Sequence, residues 1–164
     1  MAERLKVYLD TSVISYLEQE DTPEHMAETR LLWQEFRKCP EVYDVYISEV
    51  TLYELDKAPR HKAEKFISYL KEIDYHLIKL TGAADSLAEE IIVAGILRRK
   101  SYDDCLHIAA AILADCDCIV SWNFKHLVNI KTINGIRSIA LARRRRIIDI
   151  VSPPALLHYT SDEE

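Results

Sequence analysis

Three carboxylates in this chain sit where an α/β fold can turn them to chemistry: Asp10, Glu54 and Asp104. Asp10 ends the run Lys6-Val7-Tyr8-Leu9 and is followed by Thr11-Ser12, which reads as strand, acid, helix N-terminus. In open α/β sheets ligands bind outside the carboxyl ends of the strands, so an acid there is a candidate site residue. Helix capping alone would not require it, because Thr11 or Ser12 can cap. Glu54 lies one to two turns into the helix that Ser48 begins, and its spacing suits a solvated helix face equally well. Asp103 and Asp104 open the most apolar helix of the chain. Asp103 suits a partner for the helix dipole, whereas Asp104 heads the face that continues through His107 and Ile108, and so points into a cleft. Clustered carboxylates of this kind can hold divalent cations and assist phosphate-ester hydrolysis.

Around these acids stand polar and basic candidates. Ser12 neighbours Asp10, and Ser121-Trp122-Asn123-Phe124-Lys125-His126 follows another strand, offering the Ser121 hydroxyl and the Asn123 amide at the same sheet edge. Lys125 and His126 can contact phosphate. Trp122 and Phe124 have the faces to stack on a base, although large aromatics more often fill a core. Arg98-Arg99-Lys100 and Arg143-Arg144-Arg145-Arg146 are local basic patches or solvated helix ends. His107 suits a hydrogen-bonded packing residue better than a metal ligand. Cys116-x-Cys118 lacks the usual zinc spacing and a second pair, and Cys39, Cys105, Cys116 and Cys118 read as reduced thiols.

Positioning these residues takes alternating strands and helices. Strands are expected over Lys6–Leu9, 42–47, 76–80, 118–121 and 147–151. Helices are expected from Thr11 to Glu18, His25 to Lys38, after Ser48, from Lys62 to Glu72, around Ala84–Gly95 and from Ser101. This alternation predicts an α/β fold: a central, mainly parallel sheet of about five strands covered on both faces. In such a sheet strand C-termini and following helix N-termini share one edge, so Asp10, Glu54 and Asp104 can converge. With 164 residues, 49% hydrophobic and 29% charged, the chain suits a single domain over 1–164, with 152–164 as a closing tail whose end is flexible. The apolar runs are short and no signal-peptide block opens the chain, which predicts a cytoplasmic protein without a membrane partner. A net charge of −6 argues against indiscriminate coating of nucleic acid, but not against a nuclease whose acids bind metal.

Leu9-Asp10-Thr11-Ser12, Ile47-Ser48-Glu49 through Tyr53-Glu54-Leu55, Tyr102-Asp103-Asp104-Cys105-Leu106-His107-Ile108-Ala109-Ala110-Ala111 and Ser121-Trp122-Asn123-Phe124-Lys125-His126 occur in that order. In this order the motifs resemble the PIN domain, and within it the VapC-type ribonuclease toxins and their stand-alone relatives. The resemblance implies a three-layer α/β/α, Rossmann-like fold whose acids bind Mg²⁺ or Mn²⁺ and hydrolyse RNA. By position it implies Asp10, Glu54 and Asp104 as catalytic metal ligands, with Ser12, Asp103, Ser121 and Asn123 as auxiliaries. Arg98, Arg99, Lys125 and His126 are the candidate RNA contacts. Asn123 stands where many relatives carry a fourth aspartate, which weakens the case for a second metal. A homodimer and a small antitoxin protein are the partners the resemblance implies. A PIN fold that binds RNA or protein without cutting is the alternative. A haloacid-dehalogenase-like phosphatase fits less well, since it needs a second aspartate where Ser12 stands.

Overall fold

The computed structural model describes residues 3–157 and Tyr159. Five strands form one sheet: β1 (Leu5–Leu9), β2 (Tyr43–Ser48), β3 (His76–Ile78), β4 (Cys118–Val120) and β5 (Asp149–Val151). Their order is β3-β2-β1-β4-β5 and every pairing is parallel. Helices α1 (Thr11–Ser15), α2 (Pro23–Lys38), α3 (Glu49–Asp56), α4 (Arg60–Leu70), α5 (Gly82–Val93), α6 (Tyr102–Leu113), α7 (Ile130–Ala142) and α8 (Pro153–Leu157) connect or follow the strands. The expected three-layer α/β/α arrangement is present. Among the described residues no helix is long and apolar enough to cross a membrane.

A parallel sheet has helices on both faces, so successive strand residues feed two separate cores. Val7, Leu9, Val45, Ile47 and Val120 pack with Ile14, Leu32, Trp33, Phe36 and Phe66 on one side. Tyr8, Ile119 and Ile150 point the other way, among Leu87, Ile91, Ile108, Ile112 and Ile136. This double burial is why Val7-Tyr8-Leu9 of β1 and all of β4 read as unbroken apolar runs rather than as alternating ones. Each of the fully buried isoleucines, such as Ile108 and Ile119, contributes about 1.5–3 kcal/mol.

Element ends depart from the sequence-based expectation for local reasons. The first helix tightens into a 3₁₀ turn over Tyr16–Glu18. Helix α2 begins at Pro23 rather than His25, because proline is pre-set for the first helical position. Strand β3 stops at Ile78, and the Leu80 N–H, expected in the ladder, donates instead to Glu49 Oε1 at 2.7 Å. The run Arg143–Arg146 is largely neutralised: Arg143 pairs with Glu90, Arg145 with Asp115 and Arg146 with Asp117. Of the closing tail, α8 packs on α2 and buries Leu156, while the expectation of a flexible end falls on residues outside those described.

Helix α7 approaches the segment after α5 closely enough that only glycine fits at position 135. A Cβ there would meet the Ile96 side chain at 2.6–3.0 Å. Replacing Gly135 by alanine is expected to lower stability in urea denaturation by about 1–3 kcal/mol, because overpacking outweighs the helix-propensity gain of about 1 kcal/mol. Adding Ile96→Ala should remove that clash, giving a favourable coupling in a double-mutant cycle. A stability unchanged by Gly135→Ala would mean that Ile96 turns aside without cost.

Candidate active site at the sheet edge

Strand β1 is central, and Asp10 leaves its C-terminal end directly before α1. Asp10 holds the N-cap position, with φ −66° and ψ 153°, yet its carboxylate makes no capping bond. Its Oδ2 instead accepts the hydroxyls of Ser12 at 2.8 Å and Ser121 at 2.7 Å. Both hydroxyls are fixed in turn by backbone donors: Trp122 N–H to Ser12 Oγ and Asn123 N–H to Ser121 Oγ, each at 2.9 Å. The chain after β4 therefore orients an acid on β1. Asp10 is only 5% exposed.

Glu54 lies in the last turn of α3 and is held by two donors. Thr11 Oγ1 donates to Oε1 at 2.8 Å, and His107 Nε2 lies 2.5 Å from the same oxygen. His107 comes from α6 and is fully buried. Its Nδ1 is 2.6 Å from the Tyr8 hydroxyl, which is 2.7 Å from Ser48 Oγ. Burial opposes a charged imidazole, but the Tyr8 oxygen, the hydrogen bond to Glu54 and the charges of Asp10 and Glu54 outweigh it, raising His107 well above its ordinary value. The ring thus bridges Glu54 and the Tyr8 hydroxyl, which in turn shares a hydrogen bond with Ser48. For Glu54, burial is outweighed by the His107 and Thr11 hydrogen bonds, which leave its carboxyl below the usual value.

Asp104 stands in the first turn of α6, where the helix dipole favours an anion. Its Oδ2 lies 3.0 Å from His126 Nδ1. Burial, together with the charge of Asp10, pushes its carboxyl above the ordinary range against the pull of His126. Asp10, Glu54 and Asp104 line one open cavity of about 470 Å³ with Ser12, Asn123 and Lys125. Ser121 is buried behind Asp10, and Asp103 is not part of the cavity lining. Asn123 Oδ1 accepts the His126 N–H at 2.9 Å, so this amide ties the loop rather than presenting its oxygen to the cavity. Arg98 and Arg99 line a neighbouring groove with Lys125 and His126. Trp122 is buried and Phe124 exposed.

Several contacts were not visible in the sequence. The partner of His107 is Glu54, His126 faces Asp104, and Thr11 serves Glu54. Only the adjacency of Thr11 to Asp10 was a signal for the last. Donor atoms of Asp10, Glu54 and His107 lie within 4.8 Å of one another. Within that group His107 Nε2 lies 2.5 Å from Glu54 Oε1 and 3.5 Å from Asp10 Oδ1, between the two carboxylates. One oxygen of each carboxylate, Asp10 Oδ1, Glu54 Oε2 and Asp104 Oδ1, accepts no hydrogen bond among the described residues. Asp104 lines the same cavity without belonging to that close group, and carboxylate oxygens are the donors a hard divalent cation takes.

A PIN domain family model matches residues 7–125. Among solved structures, VapBC2 from Rickettsia felis bound to a DNA fragment from their promoter has a similar fold. The likeness covers 90% of this chain and 98% of that chain, at 15% sequence identity and a TM-score of 0.50. No curated protein matches the sequence.

Removing His107 leaves Glu54 and Tyr8 without their shared partner. His107→Leu is expected to lower stability by about 3 kcal/mol in urea denaturation with EDTA present. Because the folded state raises the histidine pKa, its contribution is complete below pH ~6.5 and fades as pH rises through the folded value. The gap between wild type and variant should therefore narrow toward alkaline pH. A gap that widens there would show that the ring is neutral.

Proposed function

This chain belongs to the PIN domain family, and on that premise we propose that it is a divalent-metal-dependent endoribonuclease. The observation that carries this reading is the convergence of Asp10, Glu54 and Asp104 on one cavity, each with a carboxylate oxygen that accepts no hydrogen bond among the described residues. Those three acids would hold Mg²⁺ or Mn²⁺. When bound, the ion supplies an activated water and positive charge for phosphodiester hydrolysis, leaving 3′-hydroxyl and 5′-phosphate ends.

The chain's own residues prepare that chemistry. Ser12 and Ser121 clamp one oxygen of Asp10, and the other lies 3.5 Å from His107 Nε2. His107 and Thr11 hold Glu54, and their fixed hydrogen bonds keep it ionised. His126 orients Asp104. Lys125, exposed at the mouth, offers a cation to an incoming phosphate. Asn123 supplies no fourth carboxylate and spends its oxygen on the loop, which favours one firmly held ion. The fold likeness to a VapBC2 chain makes a small antitoxin protein the partner to seek, alongside self-association as a homodimer.

Asp10→Asn keeps the shape and the acceptor for Ser12 and Ser121 but removes a charge. It should fold as wild type by circular dichroism and lose Mn²⁺-dependent cleavage of total RNA by at least about 100-fold, more than outer-shell changes at metal sites cost. Chelation with EDTA should abolish cleavage by the wild type, and added Mn²⁺ should restore it. Cleavage undiminished in the variant would sink the assignment. No metal-dependent product from wild type under single-turnover conditions would favour an RNA- or protein-binding module instead.

A further inference from the structure

We propose that Trp122 is a positioning residue for the acid cavity: its indole, seated on α2, fixes the turn after β4 so that Ser12 and Ser121 direct their protons to Asp10. This role rests on the divalent-metal reading of the cavity, because a carboxylate held in one orientation binds an ion more tightly.

Core packing does not account for the burial of Trp122. It is 5% exposed, yet it belongs to neither hydrophobic core of the described residues. Trp33, the other tryptophan of the chain, lies inside one of them, edge-on to Phe36. The Trp122 ring rests instead on aromatic and polar neighbours. His25 stacks on it with centroids 4.1 Å apart and planes 17° apart, and Tyr16 lies nearly parallel to it at 5.6 Å. Its Nε1 donates to Thr29 Oγ1 at 2.8 Å, which gives a buried indole N–H the acceptor it needs. His25 and Thr29 are four residues apart on α2 and so share the face that forms this seat. Thr29 is fully buried and uses its hydroxyl twice, donating to the His25 carbonyl at 2.6 Å while accepting the indole.

The backbone of the same residue serves the acids. Ser121 still pairs with β5, its N–H donating to the Val151 carbonyl at 3.0 Å. At Trp122 the chain leaves the sheet, and its N–H goes to Ser12 Oγ at 2.9 Å. A hydroxyl has one proton, so a Ser12 oxygen that accepts this N–H keeps its proton for Asp10 Oδ2, 2.8 Å away. Without that donor, Ser121 Oγ at 3.4 Å is a competing partner for Ser12. The next N–H, of Asn123, sets Ser121 toward Asp10 in the same way. The Asn123 amide also holds His126, which meets Asp104. Through one side chain, α2 thus governs the setting of two of the three acids. The seat borders the cavity itself, since Tyr16 and Trp122 are among its lining residues.

Mn²⁺ binding to the full chain, read from the EPR signal of free Mn²⁺ with no RNA present, tests this role. Trp122→Phe keeps a ring for His25 and Tyr16 but removes the donor to Thr29. Its Mn²⁺ affinity should fall about tenfold, at the low end of what partners of metal ligands are worth. Thr29→Val, which removes the acceptor, should cost a similar factor. The double variant should lose little more than either alone, because both changes remove one hydrogen bond. Trp33→Phe is the matched control: it too removes a buried indole donor, to the Tyr69 carbonyl at 3.2 Å, and should lower stability in urea without changing Mn²⁺ affinity. In RNA cleavage, Trp122→Phe should need more Mn²⁺ but approach the wild-type rate at saturation. Unchanged Mn²⁺ affinity in both Trp122→Phe and Thr29→Val, or an equal loss in Trp33→Phe, overturns the positioning role and reduces Trp122 to packing. Wild type that binds Mn²⁺ tenfold better than Trp122→Phe but never cuts RNA refutes the nuclease reading and leaves the role standing. Wild type that binds no Mn²⁺ overturns both.

Discussion

Like-charge repulsion at the C-terminal edge of β1 is the constraint the rest of the molecule answers. Two carboxylates about 5 Å apart repel by about 3 kcal/mol at an effective dielectric of about 20, and here a third faces the same cavity. The fold compensates acid by acid. Asp10 is met by two serine hydroxyls, Glu54 by the buried His107 ring and a threonine, and Asp104 by His126 and a helix N-terminus. The histidines, Ser121 and Thr11 each come from an element other than the one carrying their acid, whereas Ser12 and the N-terminus of α6 lie beside theirs. The cluster therefore exists only when strands and helices from across the chain are assembled, and it retains open oxygens at its centre.

Tyr8 joins this polar cluster to the hydrophobic framework. Its neighbours Val7 and Leu9 enter one core, whereas the Tyr8 ring enters the other beneath α6. There its hydroxyl reaches both His107 and Ser48. The strand alternation that separates the two cores thus also sets the height of the imidazole under Glu54. A slip of one residue in β1 would turn Tyr8 to the opposite face and move Asp10 off the cavity. Helix α6 is apolar nearly all round because it is pressed on the sheet, and His107 is the polar exception that the network justifies.

The parts of this arrangement readable from sequence were those carried by local pattern. An apolar run ending in Asp10, an Ala-rich helix headed by Asp104 and alternating elements sufficed for the α/β layers and for placing acids at one edge. Long-range pairings left no local trace. Nothing near residue 107 points to Glu54, and nothing near residue 126 points to Asp104, because those contacts depend on where α3 and the chain after β4 come to rest. Asn123 reads equally well as a ligand or a turn former, and only its bond to the His126 N–H distinguishes them. The short edge strands were also hard to bound. A side chain such as Glu49 can capture a backbone donor that periodicity assigns to the ladder.

Strand order has a consequence for synthesis. Of the five strands β1 is synthesised first, but it is the middle one, and its neighbours are β2 and the much later β4. Parallel pairing at such separation closes large loops, which slows assembly relative to local contacts. Ser121, which clamps Asp10, and His126, which orients Asp104, belong to the chain that follows β4. A nascent chain that already displays Asp10 still lacks a formed acid cavity until the segment after β4 has emerged, so the order of the strands acts as a timer on the site.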